Sequence, residues 1–274
     1  MQIKNIFSVY FSATGTTKTV VERLAQNMSA SLGPVPQTRD FTLPQARTQQ
    51  YTFGPEDLVL VGLPVYAGRL PNLLLPFLQT GLTGGGALAV PVVLFGNRNF
   101  DDALIELRNI LEEHGFHTVA GAAFVGEHSF STTLGAHRPD ADDLAQADAF
   151  AAQLAEKVQQ LSAAPTQPAT VEGETPIRPY YTPRDRHGVP INILKVKPKT
   201  SDACDHCGLC AAICPMGAIS IEDPAQVPGK CIKCGACVKR CPRGAKYYDD
   251  AGYLYHKSEL EEQYARRAAV KLFL

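Results

Sequence analysis

With 274 residues, 45% of them hydrophobic and 19% charged, the chain is long enough for two modules with buried cores, and no apolar run approaches the length a bilayer span needs. Its formal net charge of −1 excludes a strongly charged chain as a whole, but residues 195–274 hold 13 basic against 9 acidic residues, an excess that alone would point to nucleic acid. The N-terminus, "MQIKNIFSVYFS", runs straight into apolar alternation without the basic, apolar and small-residue regions of a secretory leader, so a cytoplasmic location is expected.

Residues 1–162 alternate β-like runs with helical periods, the pattern of a parallel α/β sheet. The strand candidates are "IKNIFSVYF", "TRDFT", "DLVLVGL", "ALAVPVVLF" and "TVAGAAFVG"; helical patterns cover 15–31, a short stretch after Leu70, 100–114 and 140–162. The first strand runs into "YFSATGTTKTV", which places Ser12 to Thr17 in a strand-to-helix turn, where backbone N–H groups and hydroxyls surround an anion. A nucleotide-triphosphate loop would need a glycine where Tyr10 stands, so its likeness to "GTTKT" is partial. Ser12, Thr14, Gly15, Thr16 and Thr17 instead match S/T-x-T-G-x-T, the phosphate loop of flavodoxins, and Lys18 reads as a solvated first-turn side chain.

Two further strand ends carry the same resemblance. "PVYAGRLP" after the third strand is similar to the flavodoxin loop beside the isoalloxazine ring, which implies FMN contacts from Pro64, Val65, Tyr66, Ala67 and Gly68. Within that reading Tyr66 covers a ring face and Gly68 permits backbone approach. "FGNRNF" after the fourth strand puts Gly96, Asn97, Arg98 and Phe100 in the corresponding third loop, where amide and guanidinium donors would read the flavin carbonyl edge. The resemblance implies a flavodoxin-like doubly wound α/β domain over 1–162, a five-stranded parallel sheet of order 2-1-3-4-5, with its ligand at the C-terminal strand ends. The competing reading makes these loops ordinary turns, with Arg69 or Arg98 in surface ion pairs. "TGGGAL" at 83–88 precedes a strand rather than joining strand to helix, so it fails the dinucleotide-binding context. "GEHSFS" at 126–131 edges the expected pocket, and His128 receives no catalytic role.

Residues 163–195 read as a proline-rich linker; seven prolines fall within 163–200, and "PYYTP" is the part expected to pack on a module. Beyond it come Cys204, Cys207, Cys210 and Cys214, then Cys231, Cys234, Cys237 and Cys241, both runs C-x2-C-x2-C-x3-C-P and displaced by 27 residues. Three closely spaced thiolates wrap one face of an iron–sulfur cube, whereas zinc sites come as paired C-x-x-C units and disulfides do not suit this spacing in a reducing compartment. Residues 196–250 closely resemble the two-cluster bacterial ferredoxins, a small α+β domain. There the last cysteine of each run serves the other cluster. The resemblance therefore implies one [4Fe-4S] cluster on Cys204, Cys207, Cys210 and Cys241 and a second on Cys231, Cys234, Cys237 and Cys214. Each four-thiolate cluster would add about two negative charges, which offsets the basic excess and removes the case for nucleic acid. Residues 251–274 read as a helical extension whose "VKLFL" packs on this chain or on a partner.

The whole chain resembles a flavodoxin–ferredoxin fusion. That implies electron transfer between FMN and two [4Fe-4S] clusters, with a low-potential redox protein as donor and a protein or small molecule as acceptor. An FMN-dependent reductase of a small substrate is the alternative, and an additional pocket beside Tyr66 and Arg98 would favour it. A redox sensor lacks an output module, and direct use of nicotinamide stays open.

Overall fold

The computed structural model describes residues 1–274. Strands β1 (Asn5–Tyr10), β2 (Pro36–Asp40), β3 (Asp57–Pro64), β4 (Leu88–Phe95) and β5 (Gly121–Val125) form one parallel sheet of order β2-β1-β3-β4-β5. Strands β3 and β4 are near-continuous apolar runs because both faces are covered. On one face Ile6, Leu58, Leu60, Val90 and Val92 pack under helices α1 (Thr16–Leu32) and α3 (Ala141–Gln160). On the other, Phe7, Val9, Val59, Val61 and Val93 meet helix α2 (Ala103–Glu113) and the loops near Leu74 and Leu78. Odd and even positions go to opposite faces, as the period-two pleat dictates. Gly62 of β3 lets α1 approach: a Cβ there would stand 2.3 Å from Val21 Cγ2.

The second strand forms over Pro36–Asp40 rather than Thr38–Thr42, and the fifth is shortened at its start. A two-residue pairing at His117–Thr118 precedes the fifth strand, and the interruption before Gly121 falls beside Pro91 of β4, which has no N–H to offer a neighbour. Helix α3 starts with a capping box, Asp140 against Asp143. Asp143 is fully enclosed and held by Arg138, whose Nε donates to it at 2.6 Å and whose Nη1 donates to the Ala268 carbonyl.

The stretch read as a linker is a strap laid over the α/β module. Val171 enters the core, Ala169 N–H donates to Thr118, Tyr180 Oη donates to the Leu70 carbonyl and Tyr181 N–H donates to the Ala67 carbonyl. Asp102, wholly buried, accepts from the Glu174 and Arg178 N–H groups and from the Arg178 guanidinium.

The cysteine region is a compact unit with a two-stranded pair, β6 (Lys199–Thr200) and β7 (Lys246–Tyr247), and two single-turn helices, α4 (Leu209–Ala212) and α5 (Ala236–Lys239). The tail is only partly the helical extension expected. Helix α6 (Ala251–Gln263) is followed by strand β8 (Lys271–Phe273), which pairs antiparallel with β5 and closes that edge of the sheet. No helix is long and apolar enough to cross a membrane.

Candidate functional site

The loops after β1, β3 and β4 gather at the C-terminal edge of the sheet, where a doubly wound fold binds its ligands. In the first, Gly15 adopts φ 100° and ends the turn into α1; nothing lies within 4 Å of where its Cβ would be. Ser12 Oγ accepts from the Lys18 N–H at 3.0 Å and its own N–H donates to Thr42 Oγ1, which fixes the loop. The N–H groups of residues 13–17 donate to no protein acceptor, so a run of aligned donors stands at a helix N-terminus. The Thr14, Thr16 and Thr17 hydroxyls have no protein partner either, although Thr17 is nearly enclosed with its methyl toward Gly62. The donor set fits a phosphate monoester, and Lys18 is exposed and unpaired, as its reading requires.

The second and third loops border a cavity of about 560 Å³. Val65, Tyr66, Ala67 and Arg98 form one wall. Tyr181 and Ile191–Leu194 of the strap form another, and His128, Phe130 and His256 a third. Arg98 stacks on Tyr181 at 4.6 Å and pairs with Asp101. Arg69 turns away: its Nε donates to buried Glu106 at 2.8 Å, so it anchors the loop rather than the cavity. Burial lowers His128 to about 3, helped by the Lys239 charge, and burial lowers His256 to about 4. Both imidazoles are therefore neutral at pH 7.

Several residues expected at the flavin have protein partners of their own. Asn97 donates from Nδ2 to the Tyr264 and Arg266 carbonyls and accepts from the Ala268 N–H, so its amide holds the tail that leads to β8. Phe100 is a core residue against Phe95, ring centres 5.6 Å apart. Gly96 gives room to His128, whose ring would lie 2.3 Å from a Cβ, and Gly68, φ 76°, gives room to Asp101. Pro64 ends β3 outside the cavity wall. The strap residues on the wall were missed apart from the "PYYTP" signal, since their placement depends on Asp102.

The eight cysteines are free thiols arranged as two rings. Cys204, Cys207, Cys210 and Cys241 surround one small cavity; Cys214, Cys231, Cys234 and Cys237 line the other, so the last cysteine of each run crosses to the opposite triplet. Cys237 also touches the first cavity. The duplication is visible in the backbone. His206 and Lys233 have φ 56° and 57°, and Gly208 and Gly235 φ 73° and 74°. The Ala218 and Ala245 N–H groups donate to Cys214 and Cys241 Sγ, each at 3.3 Å. These left-handed turns bring three sulfurs to one side, and a polynuclear cluster suits thiols that ring a space. Burial pushes the Cys234 and Cys237 thiols up to about 12, so an electropositive centre is needed to hold them as thiolates. For Cys241 burial is outweighed by the Ala245, Arg243 and Lys246 N–H groups, and its pKa falls.

Residues 203–245 match the 4Fe-4S dicluster domain family. No curated protein matches the chain. Among solved structures, the α/β part is similar to a flavodoxin from the domain Archaea, at 15% identity and TM-score 0.39, covering 57% of this chain and 99% of that one. It is also similar to a flavodoxin from Streptococcus pneumonia TIGR4, at 18% identity and TM-score 0.39, covering 56% and 98%. Oxidised flavodoxin 2 from Bacillus cereus gives 16% identity and TM-score 0.40, covering 56% and 99%. The strand order and parallel pairing themselves define the module as flavodoxin-like. The chain thus joins a flavodoxin-like domain to a segment that matches the 4Fe-4S dicluster domain family.

Proposed function

We propose that this is an electron-transfer flavo-iron–sulfur protein, in which FMN and two [4Fe-4S] clusters are held within one chain and exchange electrons. Bound there, FMN supplies one- or two-electron chemistry and each cluster one-electron chemistry. The observation that carries the reading is the shared wall of the large cavity: Tyr66 and Arg98 of the flavodoxin-like domain face the same space as Cys231, Ile232 and Lys233 of the cysteine region. The loop over 12–17 would bind the phosphate through its free N–H groups and hydroxyls. Tyr66 would cover the ring, while the strap and Phe130 keep bulk water from it. Arg98 would bring a positive charge close to the ring, restrained by Asp101.

The test is anaerobic reduction of the reconstituted protein by a one-electron donor while flavin absorbance is followed. Flavin bleaching that depends on intact Cys231, Cys234 and Cys237 supports the reading; bleaching at the same rate after their replacement refutes it. A second reading, reduction of a small molecule, is favoured by the size of the cavity, which lies in the usual range for small-ligand sites, and by its cover of strap residues. Steady turnover of a small acceptor without a carrier protein would select it. The redox partners in either reading are a low-potential donor and an acceptor.

A further inference from the structure

The two thiol rings descend from one duplicated motif, yet their surroundings are opposite. Every residue lining the first ring lies between Cys204 and Lys246, and Cys207 is exposed to solvent. An exposed ion pair, Arg243 Nε to Asp205 Oδ2 at 2.8 Å, stands at its outer side, and Asp205 also accepts from the Cys207 N–H.

The second ring is pressed into the flavodoxin-like domain. Cys234 and Ala236 belong to the same core as Phe95 and Val125. Gly235 lies so close to the domain that a Cβ would stand 2.3 Å from the Ser129 carbonyl oxygen. Lys239 Nζ locks the contact by donating to the His128 and Ser131 carbonyls at 2.7 and 2.8 Å and to Glu127. Cys231 itself lines the large cavity, as Tyr66 does. Its other neighbour is Tyr248, whose Oη lies 3.8 Å from Cys231 Sγ; the position that matches Tyr248 in the first repeat is the exposed Ile221.

We propose that the two clusters are ordered in series: the Cys204, Cys207, Cys210 and Cys241 set is the port that exchanges electrons with an outside protein, and the Cys214, Cys231, Cys234 and Cys237 set serves only the cavity. The inference rests on the proposed function and adds its direction in space. Each passage would oxidise a one-electron donor of the low-potential iron–sulfur or flavin class by one electron, which the outer set would hand to the inner set and the inner set to FMN; two passages, with protons from solvent, would complete the two-electron reduction of the flavin and return both sets to their oxidised state. Electron tunnelling weakens steeply with distance, so a donor must come close to its target, and Cys207 is the one exposed ligand.

The order is tested by electron paramagnetic resonance on the reduced, full-length holoprotein, with and without a chelated dysprosium complex that relaxes only centres near solvent. Two conservative substitutions, one at exposed Asp205 and one at half-buried Tyr248, assign the signals. Asp205→Asn removes a negative charge beside Cys207 and raises the midpoint potential of the outer set; Tyr248→Phe removes a hydroxyl beside Cys231 and lowers that of the inner set. The expected result is a several-fold faster relaxation of the signal that responds to Asp205→Asn, with the signal that responds to Tyr248→Phe nearly unchanged. Equal relaxation of both signals, or stronger relaxation of the Tyr248-linked one, overturns the order while leaving the flavo-iron–sulfur reading intact. Absence of any cluster signal overturns both.

Discussion

Replacing Asp102 by alanine removes the latch that holds the strap over the cavity. The carboxylate is fully buried and accepts from Arg178 N at 2.8 Å, Arg178 Nε at 2.9 Å and Glu174 N at 3.0 Å, with the Arg178 Nη2 as a further donor. The Arg178 guanidinium, ahead of the opposing effect of burial, brings the Asp102 pKa from 3.8 to about 2. A depression of that size corresponds to about 2 kcal/mol. Because the folded value lies below the unfolded one, this stabilisation is fully present above about pH 4 and is lost as the pH falls through about 2. Arg178 is 43% exposed and hydrates when released, which keeps the loss near that figure rather than at the 3–5 kcal/mol typical of about fully buried pairs. Two kilocalories correspond to a roughly 30-fold rise in the open population of the strap. The amide of Tyr181 is the reporter, since it donates to the Ala67 carbonyl at 2.8 Å and its acceptor is untouched by the substitution. At pH 7, hydrogen exchange at Tyr181 accelerates by about that factor in Asp102→Ala, with unchanged exchange in β3 and β4. A change below about threefold at Tyr181 would show that the strap is held by something other than Asp102.

Three other outcomes follow from the same geometry. Cys214→Ser leaves the cluster of the Cys204 triplet in place and removes or alters that of the Cys231 triplet, read as a fall from about eight irons toward about four and a change in one resonance signal. Gly15→Val forces a branched side chain to a φ of 100° in the phosphate loop, and FMN affinity falls by at least about tenfold while riboflavin, lacking the phosphate, is affected less; titration of flavin fluorescence reads both. Asn97→Ala frees the Tyr264 and Arg266 carbonyls and the Ala268 N–H, so it loosens the β8 tail at a cost of about 2 kcal/mol and leaves FMN affinity nearly unchanged. A large loss of flavin with an intact tail would return Asn97 to the binding site.

What the sequence revealed and what it hid divide along the range of the interactions concerned. The strand positions and the grouping of the cysteines into two runs depend on local apolar stretches and fixed spacings, visible in "DLVLVGL", "ALAVPVVLF" and the duplicated C-x2-C-x2-C-x3-C-P, whereas the strand order and the crossing of the last cysteines are non-local and come from the family resemblance. The strap is different, because Asp102 and Arg178 stand 76 residues apart and neither is marked by its neighbours. Asn97 occupies the right loop for a flavin donor, but a segment near the C-terminus reaches its amide first. Phe100 shows the same ambiguity: an aromatic residue at a strand end serves a ligand or a core equally well, and Phe95 decides for the core. Strand β8 comprises three residues whose pairing is set entirely by the open edge of β5, so the tail's composition carries little trace of it.

The most direct measurement is an anaerobic reductive titration of the reconstituted protein, with iron, sulfide and flavin determined on the same sample. Two clusters and one FMN predict about eight irons and about four electrons per chain, two taken up by flavin and one by each cluster. Zinc in place of iron, or a titration that ends at about two electrons because no flavin is retained, would contradict the account.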